Sequence, residues 1–381
     1  MVVQTCDVLI VGAGVNGLTT ALQLAIRGAT VIIVDQTSPA QQASWAGAGM
    51  LPPGFRTTAE SAELRLRSLS CQLWPAVNRQ LQELQCLDNE FVQCGAMLLF
   101  QQFDEAQREA HKWLQDGAVA ELHDVRSLQA RCPQIGPAWQ FAVELPEQAQ
   151  VRNPRHLKSL LEACRRLGVQ ILSDCACPPL TKQISSGRIE IGEQRFEFKK
   201  MLLCCGAWIS ELLSRYSPGF AVQPVRGQIA QLRGAADLLP CILEVGRRYL
   251  VPRQDGLILV GSTEEHVGFQ CETTEQGVQE LLRFAADVVP ELAGLPLVHQ
   301  WAGLRPGSPD ELPAIGFLPG FENVVIACGH FRSGLQMSPG TAAIASALLC
   351  GETPPIEITG FEPERFLANA EGTSSGSVPV E

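Results

Sequence analysis

The apolar positions near the N-terminus fall into consecutive runs with different periods. Residues 8–11 are uniformly apolar, as in a buried strand, and residues 15–28 have the spacing of a helix that ends at Gly28. Residues 30–34 form a second apolar run, which ends on Asp35. A strand, a helix and a second strand in this order predict a βαβ unit whose strands join one parallel sheet.

Glycines follow the first strand at the spacing G-x-G-x-x-G. Gly12 permits a tight turn, Gly14 lets the backbone approach a pyrophosphate, and Gly17 lets the helix pack closely on the strand. The helix N-terminus offers N–H groups and partial positive charge to phosphate. Asp35 is placed to accept hydrogen bonds from a ribose and would repel a 2′-phosphate. These features together predict a dinucleotide site and disfavour NADP.

The same periods predict the remaining elements. Helical spacing predicts helices over 59–87, 103–116, 124–131, 155–167, 209–213, 276–289 and 339–349, and apolar runs predict strands over 95–100, 141–145, 169–172, 196–205, 224–232, 248–253, 256–262, 297–303 and 323–329. Only Gln254 and Asp255 separate the strands at 248–253 and 256–262, which indicates a hairpin.

Two interleaved domains are expected, because strand–glycine–helix units recur in the middle and near the end of the chain. We predict an α/β fold with a Rossmann-like nucleotide-binding domain and a mostly parallel sheet, formed by residues 1–87, 149–222 and 304–366. An α+β substrate domain built on a large antiparallel sheet would comprise residues 88–148 and 223–303. Residues 367–381, rich in Gly, Ser and Glu, are predicted to form a flexible tail.

The amino-acid composition narrows the class of protein to which this chain can belong. An apolar fraction of 46% with 18% charged residues indicates a folded protein with a sizeable core. The net charge of −11 argues against nucleic acid or an anionic membrane as a partner, and no apolar run is long enough to span a bilayer. The chain reaches its nucleotide strand almost at once, so we expect no cleavable signal and a cytoplasmic location.

The cysteines and histidines do not form a metal-binding pattern. The 14 cysteines and 6 histidines are scattered, without zinc-type spacing or a helical histidine pair. Cys204 and Cys205 lie in an apolar strand pattern, and Cys175 and Cys177 are too close in sequence for a metal pair. We therefore expect buried thiols in a reducing compartment and no metal site.

Two other stretches suggest contacts with a bulky ligand. Residues 44–51 are too rich in small residues for an ordinary helix start, so they form either a tight packing turn or a second nucleotide contact. Near the C-terminus, a strand ending at Gly329 is followed by a glycine-bearing turn over 330–336 and an Ala-rich helix. This arrangement creates another helix N-terminus that can face an electron-rich group.

The assembled pattern resembles the FAD-dependent amine oxidases of the D-amino acid oxidase superfamily. The likeness covers residues 5 to about 366, and is carried by the glycine fingerprint and by the segments SWAGAGM (44–50), PVRGQ (224–228) and GHFRSG (329–334). Segments YLVPR (249–253), WAGLRP (301–306) and GHFR (329–332) look closest to the glycine oxidases, which feed thiazole synthesis in thiamine biosynthesis. The resemblance implies FAD rather than NAD, and a homo-oligomer, a tetramer by analogy with the family.

The resemblance also implies the residues that contact FAD. They are Gly12, Gly14, Val15, Asn16 and Gly17 at the phosphates, Asp35 and Gln36 at the adenosine ribose, Cys177 beside the adenine, Ala43 and Ser44 further along the cofactor, Ala48, Gly49 and Met50 near the isoalloxazine, and His330, Phe331, Arg332, Ser333, Gly334, Leu335 and Gln336 over the flavin ring. Some relatives bind flavin through a cysteine after the WAG-like strand. Residues 306–315 contain no cysteine, so we predict non-covalent FAD.

By the same resemblance, the chain is an amino acid oxidase. Arginine is the natural clamp for a substrate carboxylate, being planar, charged and bidentate, and Arg305 is the first candidate. Tyr249 would give a second hydrogen bond to the carboxylate, and Arg332 would lie beside flavin and substrate. We expect hydride transfer from Cα of the neutral amine with no side-chain base. The products would be an imine, which hydrolyses to glyoxylate or a keto acid plus ammonia, and hydrogen peroxide.

Other interpretations stay open from the residues alone. A dehydrogenase could use the same site and deliver electrons to a quinone, and the preferred substrate could be sarcosine, another small secondary amine or a small D-amino acid. A non-catalytic dinucleotide-binding module that senses redox state is a further alternative, although a full second domain argues against it. A tRNA-modifying role, found among distant relatives, conflicts with the acidic charge balance.

Overall fold

Two large β-sheets organise the fold. The structure, a computed structural model, describes residues 2–54, 61–217 and 220–366, so the tail predicted over 367–381 lies outside the described residues. The strands are β1 (Val2–Val11), β2 (Val31–Val34), β3 (Met50–Leu51), β4 (Val92–Gln93), β5 (Ala96–Phe100), β6 (Glu121–His123), β7 (Phe141–Leu145), β8 (Ala149–Gln150), β9 (Gln170–Leu172), β10 (Arg188–Ile191), β11 (Gln194–Leu203), β12 (Gln223–Arg233), β13 (Ile242–Val245), β14 (Arg248–Pro252), β15 (Leu257–Gly261), β16 (Leu297–Gly307), β17 (Ala314–Phe317) and β18 (Val324–Cys328). The α-helices are α1 (Val15–Ile26), α2 (Ala43–Ala46), α3 (Ala62–Glu83), α4 (Phe103–Gln115), α5 (Val125–Arg131), α6 (Asn153–Arg166), α7 (Ile209–Leu212), α8 (Glu275–Val288) and α9 (Ser338–Cys350).

The first sheet is mostly parallel and has β1 near its centre. Its order is β17-β18-β11-β1-β2-β9, with β10 paired to β11. Strands β9, β2, β1, β11 and β18 run parallel, whereas β17 and β10 are antiparallel. Val8 and Ile10 face one core cluster with α1, α6 and α9, and Leu9 and Val11 face another. Burial on both faces explains why β1 is continuously apolar rather than alternating.

The second sheet is antiparallel except for one pair. Its order is β16-β12-β15-β14-β13-β5-β7-β6, and only β13 and β5 are parallel neighbours. Helix α8 packs on one face through Leu281 and Phe284. On the opposite face Ile229 and Tyr249 share a cluster with Ala48, which follows α2. This contact places that face of the second sheet against the segment that follows α2.

The predicted α/β fold class is confirmed, and the elements differ from expectation mainly at their ends. Helix α3 begins after Ser61, whose hydroxyl caps it by accepting a hydrogen bond from Leu64 N at 3.2 Å. Strand β16 continues to Gly307, because β12 pairs with it along its whole length. The sequence did not predict α2, β6, β10, β13, β17 or the small sheet β3-β8-β4. The division of the chain into domain ranges stays a prediction.

Candidate active site

A cavity of about 530 Å³ lies between the two large sheets. It opens beyond the carboxyl ends of β1, β2, β11 and β18, where parallel sheets bind their ligands. Its wall runs from the glycine turn and Asp35 at one end to Tyr249 and Arg305 at the other. Every predicted cofactor or substrate residue lines it except Gly17.

The glycine turn has the geometry that its residue types require. Gly12 has a φ of +108°, and a Cβ atom there would lie 2.4 Å from the carbonyl oxygen of Cys204. A Cβ at Gly17 would lie 2.0 Å from the carbonyl oxygen of Gly12. Gly17 therefore allows α1 to pack on the turn, as expected, but lies away from the cavity wall. Gly14 is the N-cap residue of α1 and brings its backbone to the cavity.

Ser44 lies at the helix N-terminus. Its hydroxyl accepts a hydrogen bond from Val15 N, at the start of α1, at 3.0 Å. The N-cap residue itself, Gly14, makes no side-chain capping hydrogen bond. The next two glycines allow close packing. A Cβ at Gly47 would lie 2.8 Å from Asn153 Nδ2, and a Cβ at Gly49 would lie 1.9 Å from the carbonyl oxygen of Val151. Residues 44–51 therefore comprise most of α2, a closely packed turn at Gly47 and Gly49, and β3, and they contribute to the cavity wall.

Asp35 is held beside the glycine turn. Its Oδ2 accepts a hydrogen bond from Ala13 N at 2.7 Å, and its Oδ1 accepts one from Thr37 N at 3.0 Å. Oδ1 also accepts a hydrogen bond from Thr37 Oγ1 at 3.3 Å, so Oδ2 is the oxygen with a further lone pair for a ligand. Cys177 lines the same end, and burial raises the pKa of its thiol to about 12. A neutral thiol is suited to packing against an uncharged ring rather than to reactivity.

Two buried amide oxygens on the cavity wall fit a ligand with hydrogen-bond donors. Asn16 Oδ1 and Asn153 Oδ1 are buried and have no hydrogen-bond partner among the described residues. Leaving a buried acceptor unpaired costs about 1–3 kcal/mol, so a bound ligand would relieve that cost. Asn153 was not predicted as a site residue, and its Nδ2 donates to the carbonyl oxygen of Ser44 at 2.8 Å. The glycine turn, these acceptors and the N-terminus of α1 suit FAD.

The segment after β18 is fixed by buried polar contacts. His330 Nε2 lies 2.9 Å from Thr341 Oγ1, and its Nδ1 lies 3.2 Å from Asn16 Nδ2. Burial lowers the pKa of His330 to about 3, so the ring is neutral. Gln336 closes the segment by donating to the carbonyl oxygen of Pro52 at 3.0 Å. The turn over 330–336 is thus a rigid part of the cavity wall.

Arg305 supplies a half-buried positive charge at the other end. Its Nη1 donates to the carbonyl oxygen of Thr263 at 3.1 Å, and its Nη2 donates to Ser262 Oγ at 2.6 Å. Within the described ranges no carboxylate lies within 4.0 Å of the guanidinium. Burial lowers the pKa of Arg305. A half-buried cation with only neutral protein partners in the described ranges favours an anionic ligand.

Tyr249 is the neighbouring wall residue. It is 6% exposed, and a Cβ atom at Gly261 on β15 would lie 2.5 Å from its ring and 2.6 Å from its hydroxyl oxygen. The ring therefore lies over Gly261. In the part of the chain that the structure describes, the hydroxyl makes no hydrogen bond to protein, and the residue lines the cavity. The hydroxyl is therefore available to a ligand in the cavity.

Arg332 lines the cavity but already has an acidic partner. Its Nη1 lies 2.8 Å from Glu264 Oε2, and its Nη2 donates to the carbonyl oxygen of Arg247 at 2.7 Å. Arg247 in turn contacts Glu264 at 2.9 Å and Glu311 at 3.0 Å. Burial alone would raise the pKa of Glu264, but Arg332 and Arg247 bring it below its usual value. The charge of Arg332 is largely compensated, unlike that of Arg305.

Two further wall or support residues were missed by sequence reasoning. Arg253 is buried and donates to Gln150 Oε1 at 2.6 Å, to the carbonyl oxygen of Val151 at 3.0 Å and to that of Ala48 at 2.6 Å, so it fixes the segment after α2. Glu244 on β13 lines the cavity opposite Tyr249. The only sequence signal for a role of Glu244 was its charge among the apolar residues of a short strand.

Outside the cavity, one group of side chains has metal-like spacing. The potential ligand atoms of Glu121, His123 and Glu144 lie within 4.8 Å of one another. Glu144 already contacts His123 Nε2 at 2.8 Å and pairs with Arg131. The expectation of no metal site stays a prediction. None of the helices in the described ranges combines the length and the apolar character that a membrane-spanning helix needs.

Comparison with known proteins connects this geometry to a family. Residues 7–348 match the family described as FAD dependent oxidoreductase (DAO). Glycine oxidase of Pseudomonas aeruginosa is 35% identical over 360 residues, which cover 93% of this chain and 98% of that protein. The crystal structure of glycine oxidase from Geobacillus kaustophilus superposes with a TM-score of 0.88 at 26% identity and covers 94% of this chain and 98% of its own.

Two other relatives have different names at similar identity. The bifunctional protein ThiO/ThiG of Synechocystis sp. is 32% identical over 95% of this chain, and the match spans 54% of that protein. The hydrogen cyanide synthase subunit HcnC of Pseudomonas aeruginosa is 32% identical, with 95% of this chain and 97% of that protein covered. The resemblance predicted from sequence motifs is therefore confirmed, and so is FAD as the cofactor. The chain belongs to the family of FAD-dependent oxidoreductases and is an enzyme of the amino acid oxidase type.

Proposed function

We propose that this protein oxidises glycine, and other small amino acids with less efficiency, to the corresponding imine. The observation that carries the proposal is the half-buried Arg305 guanidinium, which has no carboxylate partner among the described residues and lines the same cavity as the Tyr249 hydroxyl. FAD held in the cavity would supply the two-electron acceptor for the substrate hydride, and oxygen as the final acceptor would give hydrogen peroxide.

The residues at the first end of the cavity would hold FAD without a covalent bond. Gly12 and Gly14 let the backbone approach the pyrophosphate, and the N-terminus of α1 offers N–H groups to it. Asp35 would accept hydrogen bonds from the adenosine ribose. The backbone of segment 330–336 would donate hydrogen bonds to the flavin. The neutral imidazole of His330 holds this segment in place through its contact with Thr341.

At the other end, Arg305 would bind the substrate carboxylate through a bidentate, charge-assisted pair. Its contacts with Ser262 and Thr263 hold the guanidinium in one orientation. The Tyr249 hydroxyl would donate a second hydrogen bond to the same carboxylate. With the carboxylate fixed at two places, the Cα–H bond has a defined direction, which is the main contribution of the protein to such a reaction. The released imine would hydrolyse to glyoxylate and ammonia.

The relatives support glycine as substrate and suggest two fates for its imine. Similarity to ThiO/ThiG supports supply of the glycine imine for the thiazole of thiamine. Similar identity to HcnC favours a second candidate, in which the chain is a subunit of an enzyme that forms hydrogen cyanide. A homo-oligomer and a cytoplasmic location, both expected from sequence, belong to this proposal as well.

The test is a product analysis of the purified holoenzyme in air. Glycine, sarcosine and D-alanine are supplied separately, with ethylamine as a control that lacks the carboxylate. We expect oxygen uptake with equal amounts of glyoxylate, ammonia and hydrogen peroxide from glycine, no cyanide, and no turnover of ethylamine. Cyanide as the main product would favour the second candidate. Reduction of an artificial quinone without oxygen uptake would indicate a dehydrogenase instead.

A further inference from the structure

Glu244 places a carboxyl group on the substrate side of the cavity. It lies on β13 directly opposite Tyr249 on β14, and both side chains line the cavity. Side chains of directly opposite residues in an antiparallel pair point to the same face, with Cβ atoms about 4.5–5.5 Å apart. The Tyr249 ring leans over Gly261 on β15, so a small molecule that extends from this side chain toward β13 would meet the Glu244 carboxyl.

Across the second sheet the polar groups follow one order. The Arg305 guanidinium lies over Gly227 on β12 and reaches Ser262, which follows β15. Tyr249 on β14 covers Gly261 of β15, and Glu244 is on the next strand, β13. A cation, a hydroxyl and a carboxyl thus succeed each other across neighbouring strands. An amino acid zwitterion has the complementary order, a carboxylate at one end and an ammonium at the other.

Glu244 makes no hydrogen bond or ion pair with any described residue. Burial raises the pKa of its carboxyl to about 7. The charges that face it are Arg332 and Arg67, which act to lower the pKa, and Glu109, which acts to raise it. These neighbours have partners of their own: Arg332 is bound to Glu264, Arg67 to Glu63, and Glu109 accepts a hydrogen bond from the indole of Trp113. Arg247, on the turn after β13, is bound to Glu264 and Glu311.

We propose that Glu244 accepts a proton from the ammonium group of the substrate whose carboxylate is bound by Arg305 and Tyr249, a role that rests on the proposed function. One N–H bond of the ammonium breaks and its electron pair stays on nitrogen as the lone pair of a neutral amine. One O–H bond forms on Glu244, whose carboxylate becomes a neutral carboxylic acid. Glu244 is then a catalytic residue, which departs from the expectation that no side-chain base takes part.

The test compares wild type with Glu244→Gln, a variant of nearly the same shape that cannot accept the proton. The anaerobic rate of flavin bleaching by glycine is measured from about pH 6 to pH 10, and acetate binding is measured from the visible spectrum of the holoenzyme. Acetate has the carboxylate but no amine. We expect Glu244→Gln to bleach about a hundredfold more slowly at neutral pH, within the usual range for a proton-transfer group. Acetate affinity should change less than about twofold, because Arg305 and Tyr249 are unaltered.

The pH profile separates a catalytic role from a structural one. In wild type, the rate should fall as pH drops through about 7, because the carboxylate form of Glu244 is lost, whereas in Glu244→Gln this limb should be replaced by one at higher pH that follows the ammonium group of the substrate. Glu109→Gln is the matched control, since it removes a nearby carboxylate that does not line the cavity, and should keep the limb. If Glu244→Gln does not retain FAD, Glu244→Asp is measured in its place. We expect glycine to bleach the flavin of this variant more slowly than that of wild type, with the same fall in rate at low pH.

Two results would overturn the inference and leave the proposed function standing. One is a wild-type enzyme that reacts with glycine while Glu244→Gln matches its rate and pH profile. The other is a Glu244→Asp variant that retains FAD but has lost the acid limb. A wild-type enzyme that no small amino acid reduces at any pH would instead contradict the proposed function.

Discussion

The guanidinium of Arg305 lies against the backbone of Gly227, so closely that a Cβ atom at position 227 would be 2.2 Å from Nη2. Glycine on β12 therefore leaves the space that Arg305 occupies. Nη2 also donates to Ser262 Oγ at 2.6 Å, which fixes the side chain from the other side. The position of the proposed carboxylate clamp thus depends on a residue that has no side chain.

Substituting Gly227→Ala should weaken substrate binding by displacing Arg305. We expect kcat/KM for glycine to fall by about tenfold or more, roughly 1.4 kcal/mol, and the acetate dissociation constant to rise in parallel. The control is Gly294→Ala, because a Cβ there meets no atom within 4 Å. If Gly227→Ala binds acetate as wild type does, Arg305 does not hold the carboxylate as described.

Removing the clamp itself should have a larger effect. Arg305→Ala should cost about 2–5 kcal/mol in kcat/KM for glycine, since the substrate carboxylate would be desolvated without a partner. Arg332→Ala should cost less, because the charge of Arg332 is already compensated by Glu264 at 2.8 Å. Steady-state kinetics on both variants test this order, and a loss below about threefold for Arg305→Ala would remove it from the role.

Gly12→Ala should abolish FAD retention. The backbone at Gly12 has a φ of +108°, and a Cβ would lie 2.4 Å from the carbonyl oxygen of Cys204, so the turn must open. Gly28→Ala is the matched control, because its φ of +85° is also positive but no atom lies within 4 Å of the added Cβ. The ratio of flavin absorbance to protein absorbance after purification measures retention. Equal ratios in the two variants would show that the turn tolerates a side chain.

Acid should destabilise the fold through two buried histidines. Burial lowers the pKa of His156 and of His330 from 6.5 to about 3, so both are neutral in the folded protein and gain a proton on unfolding below pH 6.5. Stability is therefore complete above that pH and is lost as pH falls toward 3, by up to about 1.4 kcal/mol per pH unit for each histidine. Urea unfolding at several pH values measures the slope. A flat profile between pH 6 and 4 would contradict buried neutral rings.

Sequence patterns predicted the nucleotide end of the cavity better than the substrate end. The roles of Gly12, Gly14 and Gly17 follow from local geometry, because a turn and a helix start lie within a few residues. Arg305 and Tyr249 were predicted only through the family resemblance. Their neighbourhood is assembled by pairing between strands far apart in sequence, and a single sequence does not contain the register of such pairs.

The missed residues show the same limit. Glu244 lies on a short strand whose pairing with β5 joins residues more than a hundred positions apart, so nothing near it in sequence indicates that it faces a cavity. Asn153 begins α6, where asparagine is ordinarily a capping residue, yet the residue lines the cavity and its buried amide oxygen has no partner among the described residues. The end of β16 was also set by a distant partner, since β12 pairs with it as far as Gly307.

The most direct test of the central claim is the visible spectrum of the purified holoenzyme before and after anaerobic addition of glycine. The account predicts a flavin absorption band near about 450 nm that glycine bleaches and that returns when oxygen is admitted. Bleaching by sarcosine or D-alanine but not by glycine would retain the site and contradict the proposed substrate. A colourless protein that cannot be reconstituted with FAD, or a yellow one that no small amino acid bleaches, would contradict the central claim.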